Sequence, residues 1–333
     1  MDVLVDDIGS FPLPQGTSRK ALAELYPMAL KAYAEGKSLA NEELFEFYKT
    51  VATSMRFKLS SGLDVVNYPQ HYDMHRQFLE PILEYPEEPF LIQKKYAVIP
   101  ELGVAEEEVE KCPEKLTLKV CVTGPVELHL RTEFDFHIYE EVLQNLARSV
   151  NRFLRNSMLS TKYIETAVVA IDEPSLGFVD LLNIDEEGLI KALETSVRGV
   201  KARVQVHLHT LKAANIPLKA DGIEVITGEF AATPQNLQLI SRKTLEEHDK
   251  FIRAGVSRTD VDSIIAEHVE RGVEARHVQL VEGIEVIRKR YEKIKEVFSD
   301  RVAFAGPDCG LGSWPTQEDA QLLLKRTVSA IKF

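Results

Sequence analysis

VQVHLHTLKAANIPLKADGIEVITGE, residues 204–229, holds two short β-branched runs, 204–208 and 223–226, separated by a longer connection. The first run passes into His207 and His209, the second into Thr227, Gly228 and Glu229. Two successive runs that finish in metal-binding or polar residue types read as parallel strands whose C-terminal ends face one site.

Working outward, similar runs stand at 3–8, 64–66, 116–122, 167–171, 276–280 and 302–305, which makes eight candidate strands. Helical spacing fills most of the intervals. Residues 41–59 carry Leu44, Phe45, Tyr48, Val51 and Met55, and 139–153 carry Val142, Leu143, Leu146, Val150 and Phe153. Residues 283–297 follow suit with Ile284, Ile287, Tyr291 and Ile294, and 317–331 begin at Thr316 with Asp319 three residues on, a capping-box-like start. Strand–helix alternation implies a parallel sheet, and eight apolar runs imply closure, so the expectation is an α/β fold, a single (β/α)8 TIM barrel over 1–333. The proline-bearing segment around 85–115 reads as an excursion outside the barrel, and 241–270 reads as polar and helical.

The chain has 333 residues, 44% hydrophobic and 28% charged, which is ordinary for a globular protein. A net charge of -12 argues against non-specific nucleic-acid binding, which needs clustered Lys and Arg. No stretch approaches ~18 consecutive apolar residues, and the N-terminus lacks the basic n-region of a secretory signal. The three cysteines, Cys112, Cys121 and Cys309, are too few and too scattered for a disulfide framework, so a reducing, cytoplasmic location is expected.

Nearly every strand ends in a residue type able to bind a ligand: GSFP after the first, NYPQH after the second, TGP after the third, DEP after the fourth, GPDCG after the eighth. Barrel active sites are built from such strand ends. His207 and His209, two apart on a strand, face the same side, where they either bind a metal or form a hydrogen-bonded core pair. Glu229 is either a ligand, a helix cap or the partner of an Arg. Cys309, in a Pro- and Gly-flanked turn, would be displayed rather than packed; Cys121 alternates with apolar neighbours and reads as core. Nitrogen, oxygen and sulfur donors together suit Zn2+ better than Mg2+ or Ca2+. Asp172 and Glu173 point opposite ways on a strand. Asp172 is taken as the inward one, with a helix N-cap as the other role open to either acid.

These motifs, in this order, resemble the catalytic C-terminal barrel of cobalamin-independent methionine synthase, and more closely the short single-barrel archaeal-type members of that family. IGSFP (8–12), GLDVV (62–66), TGP (123–125), IDEP (171–174), VITGE (225–229) and PDCGL (307–311) carry the likeness over nearly the whole chain. The resemblance implies a zinc ion held by His207, His209, Glu229 and Cys309, and an amino-acid thiol, homocysteine, bound by Ile8, Ser10, Gln70 and Asp172. It further implies His277, in GVEARH (272–277), as a proton-handling residue beside a catalytic Asp172. The activity implied is methyl transfer to the thiol to give methionine, with a methylcorrinoid protein rather than folate among the candidate donors. Three positions depart from the family pattern: His209 stands for a Cys, Gln70 for a Glu, and Arg131 for a Trp. These departures leave two alternatives, a zinc-dependent alkyl transferase acting on another thiol and a non-catalytic barrel that binds metal or an amino acid. A metal-free decarboxylase of the uroporphyrinogen type is a further rival on a similar barrel.

Overall fold

The computed structural model describes residues 2–111, 114–134, 137–275 and 278–332. Its strands are β1 (Leu4–Val5), β2 (Val66–Asn67), β3 (Pro86–Glu88), β4 (Leu91–Ile92), β5 (Leu116–Thr123), β6 (Ile164–Asp172), β7 (Arg203–Leu208), β8 (Val225–Glu229), β9 (Phe251–Ser257) and β10 (Val302–Pro307). Eight of them form one parallel sheet in the order β1-β10-β9-β8-β7-β6-β5-β2. Bridges from Asp6 to Val65 and from Ser10 to Gln70 join its two edges, so the sheet closes on itself. The chain is an α/β barrel with helices packed around it.

The outer face of the strands and the inner face of the helices share one apolar core. Val120, Val122, Val169, Ile171, Val206, Leu208, Ile226, Ile252 and Ala254 are buried in it against Leu143, Leu146, Val150, Leu193, Ile287, Ile294, Leu323 and Leu324 of the helices. The helix Gln317–Ile331 starts as its sequence suggests, with Thr316 accepting a hydrogen bond from Asp319 N. Inside the barrel, Val65, Val168, Val225, Ala303 and Phe304 make a small apolar plug towards the strand N-termini.

Above that plug the interior is polar. Lys119 of β5 and Gln205 of β7 donate to Asp6 Oδ2 at 2.9 and 3.0 Å, and Arg253 of β9 donates from Nε to Asp6 Oδ1 at 2.7 Å. All four side chains are fully or almost fully buried. Side chains from β5, β7 and β9 can converge on a carboxylate just past β1 only within a closed barrel. Burial opposes ionisation of Asp6, and the two cations outweigh it, holding its carboxyl below the ordinary value.

Two expectations need correction. The seventh barrel strand is β9, inside the segment read as polar and helical; of the run 276–280, Val278, Gln279 and Leu280 form no strand, and Arg276 lies outside the described residues. The cause is the polar interior. Ile252, Ala254 and Val256 face the helices, while Arg253, Gly255 and Ser257 alternate with them and break up any apolar run. The 85–115 excursion is also more regular than its prolines suggest. It contains the antiparallel β3–β4 hairpin and the helix Pro100–Val109, which begins with Pro at its first position, where a missing N–H costs nothing. The hairpin docks on the helix Glu140–Asn156 through Asn145, which donates to Pro89 O, and Ser149, which accepts from Ile92 N.

Candidate metal centre and substrate pocket

At the C-terminal mouth of the barrel, ligand atoms of His207, His209, Glu229 and Cys309 lie within 4.8 Å of one another. His207 sits on β7 with Asp172 of β6 on one side and Thr227 of β8 on the other. Glu229 ends β8, His209 lies just past β7, and Cys309 lies two residues past β10. Cys309 Sγ is 3.6 Å from His207 Nε2 and 3.8 Å from His209 Nε2. Glu229 Oε1 is 3.6 Å from His209 Nε2 and 4.0 Å from His207 Nε2. Donors spaced around a tetrahedral zinc at 2.0–2.3 Å stand about 3.3–3.8 Å apart, so the observed spacing needs only small inward movement to fit that ion.

The electrostatics fit a cation as well. Burial, then the carboxylates of Asp308 and Asp260, push Glu229 up to about 8, and burial, then Glu229, pushes the Cys309 thiol up. Burial, then His209 and the interior cations Arg253 and Lys119, drives His207 well below the usual imidazole value; burial also lowers His209. The imidazoles are thus held neutral, as ligation requires, while among the described residues no Lys or Arg forms an ion pair with Glu229, a role that a divalent ion would fill. His207 is almost fully buried and His209 is half exposed, which makes His209 the outer member of the set.

Asp172 is the register partner of His207 on the neighbouring strand, so the two side chains share the inner face of the barrel. Its Oδ1, like His207 Nδ1, is buried without a hydrogen-bond partner among the described residues, and burial raises its carboxyl to about 7 against the pull of Lys119 and Arg253. Such an atom is ready for a cationic or hydrogen-bonding ligand. Glu173 takes the capping role left open between the two acids. It accepts from Val126 N and Glu127 N, both at 2.9 Å, at the start of the short helix Pro125–His129. Gly124 makes this approach possible, since a Cβ there would lie 2.2 Å from Glu173 Oε1.

The first-strand loop borders the site. Ser10 O accepts from Leu311 N at 2.8 Å, and a Cβ on Gly310, next to Cys309, would fall 1.9 Å from Ser10 Oγ. Ile8 is buried just before it. Lys58, wholly buried, anchors the loop by donating to Gly9 O at 2.9 Å and pairing with Asp7 at 2.7 Å. Gln70 pairs with Ser10, but its amide donates to Gln77 Oε1 at 2.8 Å. Cys121 is buried in the barrel, accepting from Asn67 Nδ2. His277 and Cys112 lie outside the described residues.

A cluster that the sequence reading passed over lies on the same rim. Glu127 accepts from His75 Nε2 at 2.7 Å, from Arg131 Nη2 at 3.1 Å and from Ser175 Oγ. Burial opposes its ionisation, yet these bonds hold it at about 2. Arg131 is an i,i+4 neighbour, while His75 and Ser175 come from distant segments, so the local pair alone does not mark the cluster.

No family model matches the chain. Among curated proteins it is 24% identical over 212 residues to the methionine synthase of Sulfolobus acidocaldarius, covering 62% of this chain and 54% of that protein. It is 22% identical over 336 residues to the methionine synthase of Sulfurisphaera tokodaii, covering 95% and 88%. Its fold is similar to a B12-independent methionine synthase from a Shewanella species in complex with selenomethionine, with TM-score 0.63, 14% identity, and 100% and 97% of the two chains covered. The chain resembles the methionine synthases in sequence and in fold. The Sulfolobus match spans about half of that relative's length, whereas the Sulfurisphaera match runs nearly end to end. Against the methionine synthase pattern, the departures take physical form. His209 joins His207, Glu229 and Cys309 in one cluster, Gln70 turns its amide to Gln77, and Arg131 pairs with Glu127 at the half-exposed rim.

Proposed function

We propose that this chain is a zinc-dependent methyltransferase that moves a methyl group onto the sulfur of homocysteine, giving methionine, with a methylcorrinoid protein as the donor. The observation that carries the reading is the meeting of His207, His209, Glu229 and Cys309 beside the unpartnered carboxylate oxygen of Asp172. A zinc ion held there would act as a Lewis acid, keeping a substrate thiol deprotonated near neutral pH. Asp172 accepts hydrogen bonds from the substrate ammonium, and the loop carrying Ile8 and Ser10 lies against the amino-acid end. The thiolate sulfur forms its bond to the methyl carbon as the bond from that carbon to the donor breaks. The barrel wall fixes the line of attack and keeps water out, which lowers the entropic cost of the encounter. His277 is the proposed proton carrier on the donor side.

A second reading keeps the chemistry and changes the acceptor. It is favoured by Gln70, whose amide is engaged with Gln77. Methyl transfer from a methylcorrinoid to a panel of thiols tests both. Turnover with homocysteine well above the rest supports the first reading, turnover preferring a thiol without the amino-acid group supports the second, and binding without turnover under any donor rejects both.

A further inference from the structure

The four candidate ligands stand at the ends of three strands or in the loops that follow them, and ligand side chains are only as well placed as the backbone beneath them. Two buried side chains that contribute no ligand atom tie these loops together. Asn236, fully buried in the 3-10 turn Pro234–Gln238, donates from Nδ2 to the carbonyl of His209 at 3.1 Å and to that of Glu229 at 2.7 Å. Its Oδ1 accepts from Leu211 N at 3.0 Å. The amide has one workable orientation, since the reverse would set its oxygen against two carbonyl oxygens.

Asp308, just before Cys309, forms the other tie. Its Oδ1 accepts from Phe230 N at 3.2 Å and Ala231 N at 3.0 Å, and its Oδ2 from Ala232 N at 2.6 Å. Its own N donates to Ser257 O at 2.9 Å. The carboxylate occupies space left by Gly255, where a Cβ would lie 2.2 Å from Oδ1. Asn236 therefore joins the His209 loop to the Glu229 loop, and Asp308 joins the Glu229 loop to the Cys309 loop.

We infer that Asn236 and Asp308 are positioning residues that hold the three ligand loops in register and so set the metal affinity of the site. This rests on the reading of the cluster as a metal centre. With the loops held beforehand, binding an ion costs little loop ordering; without the ties, each binding event must order them.

The test is zinc affinity by chelator competition for the full chain, Asn236→Ala and Asp308→Asn, with the absorption spectrum of each cobalt(II)-loaded protein and the Tm of each metal-free form. The expected result is zinc binding about 10–100-fold weaker in each variant, with a shifted thiolate-to-cobalt band. Affinity within about threefold of the parent, with an unchanged cobalt spectrum, would overturn the inference even if Tm fell, since the ties would then serve stability alone. A parent that binds no zinc would remove the underlying metal reading and this inference with it, a different outcome from a tight parent with equally tight variants. Should either variant fail to fold, amide exchange in the metal-free parent decides: slow exchange at Leu211, Phe230, Ala231 and Ala232 supports the ties, and fast exchange there overturns them.

Discussion

Replacing Asp172 by Asn removes a charge from the pocket while nearly preserving shape. Asp172 is 5% exposed and its Oδ1 has no partner among the described residues, so a substrate ammonium would be its chief partner. A hydrogen bond to a charged group contributes about 1.5–3 kcal/mol, which at 1.4 kcal/mol per decade is about 10- to 150-fold in affinity. The assay is calorimetric titration of the zinc-loaded protein with homocysteine and with 4-mercaptobutanoate, which keeps the thiol and carboxylate and lacks the ammonium. The parent should prefer homocysteine by roughly that factor, and Asp172→Asn should bind the two almost equally. An Asn variant that keeps the parent's preference for homocysteine would refute the assignment of Asp172 to the amine.

Two further perturbations test the frame around the site. Arg253→Met leaves Asp6 Oδ1 without its guanidinium deep in the barrel and should cost about 3–5 kcal/mol in urea unfolding; a loss under about 1 kcal/mol would contradict the role given to this ion cluster. Glu101, buried near Tyr26, is raised to about 8 by burial. A raised folded value means its contribution is full below about 4.5 and lost as pH rises towards 8, so Glu101→Gln should flatten the fall in urea midpoint between pH 5 and 8, and an unchanged slope would contradict it.

The barrel was legible wherever a strand buries apolar residues against helices, as in 116–122 and 204–208, because the outer face dominates the local pattern. It was illegible at β9, where Arg253 and Gly255 face a polar interior and interrupt the run, and the count of eight was met by misreading 276–280. The ligand cluster was legible because strand ends place chemistry-bearing residues at one rim whatever the details of packing. His209 and Glu229 meet through neighbouring strands, and Cys309 joins them from across β9. Asn236 gave no signal, since its bonds run to backbone groups, which have no sequence signature. Glu127 gave none because His75 and Ser175 reach it from distant segments, and its i,i+4 pair with Arg131 looks like an ordinary helix-surface pair in sequence.

The most direct test of the account is metal content by elemental analysis of protein purified without chelator, beside Cys309→Ser and His209→Ala. The account predicts about one zinc per chain in the parent, loss in the cysteine variant, and weaker retention in the variant of the half-exposed His209. A parent that takes up no zinc even when it is supplied, or a Cys309→Ser protein that holds zinc as tightly as the parent, would contradict it.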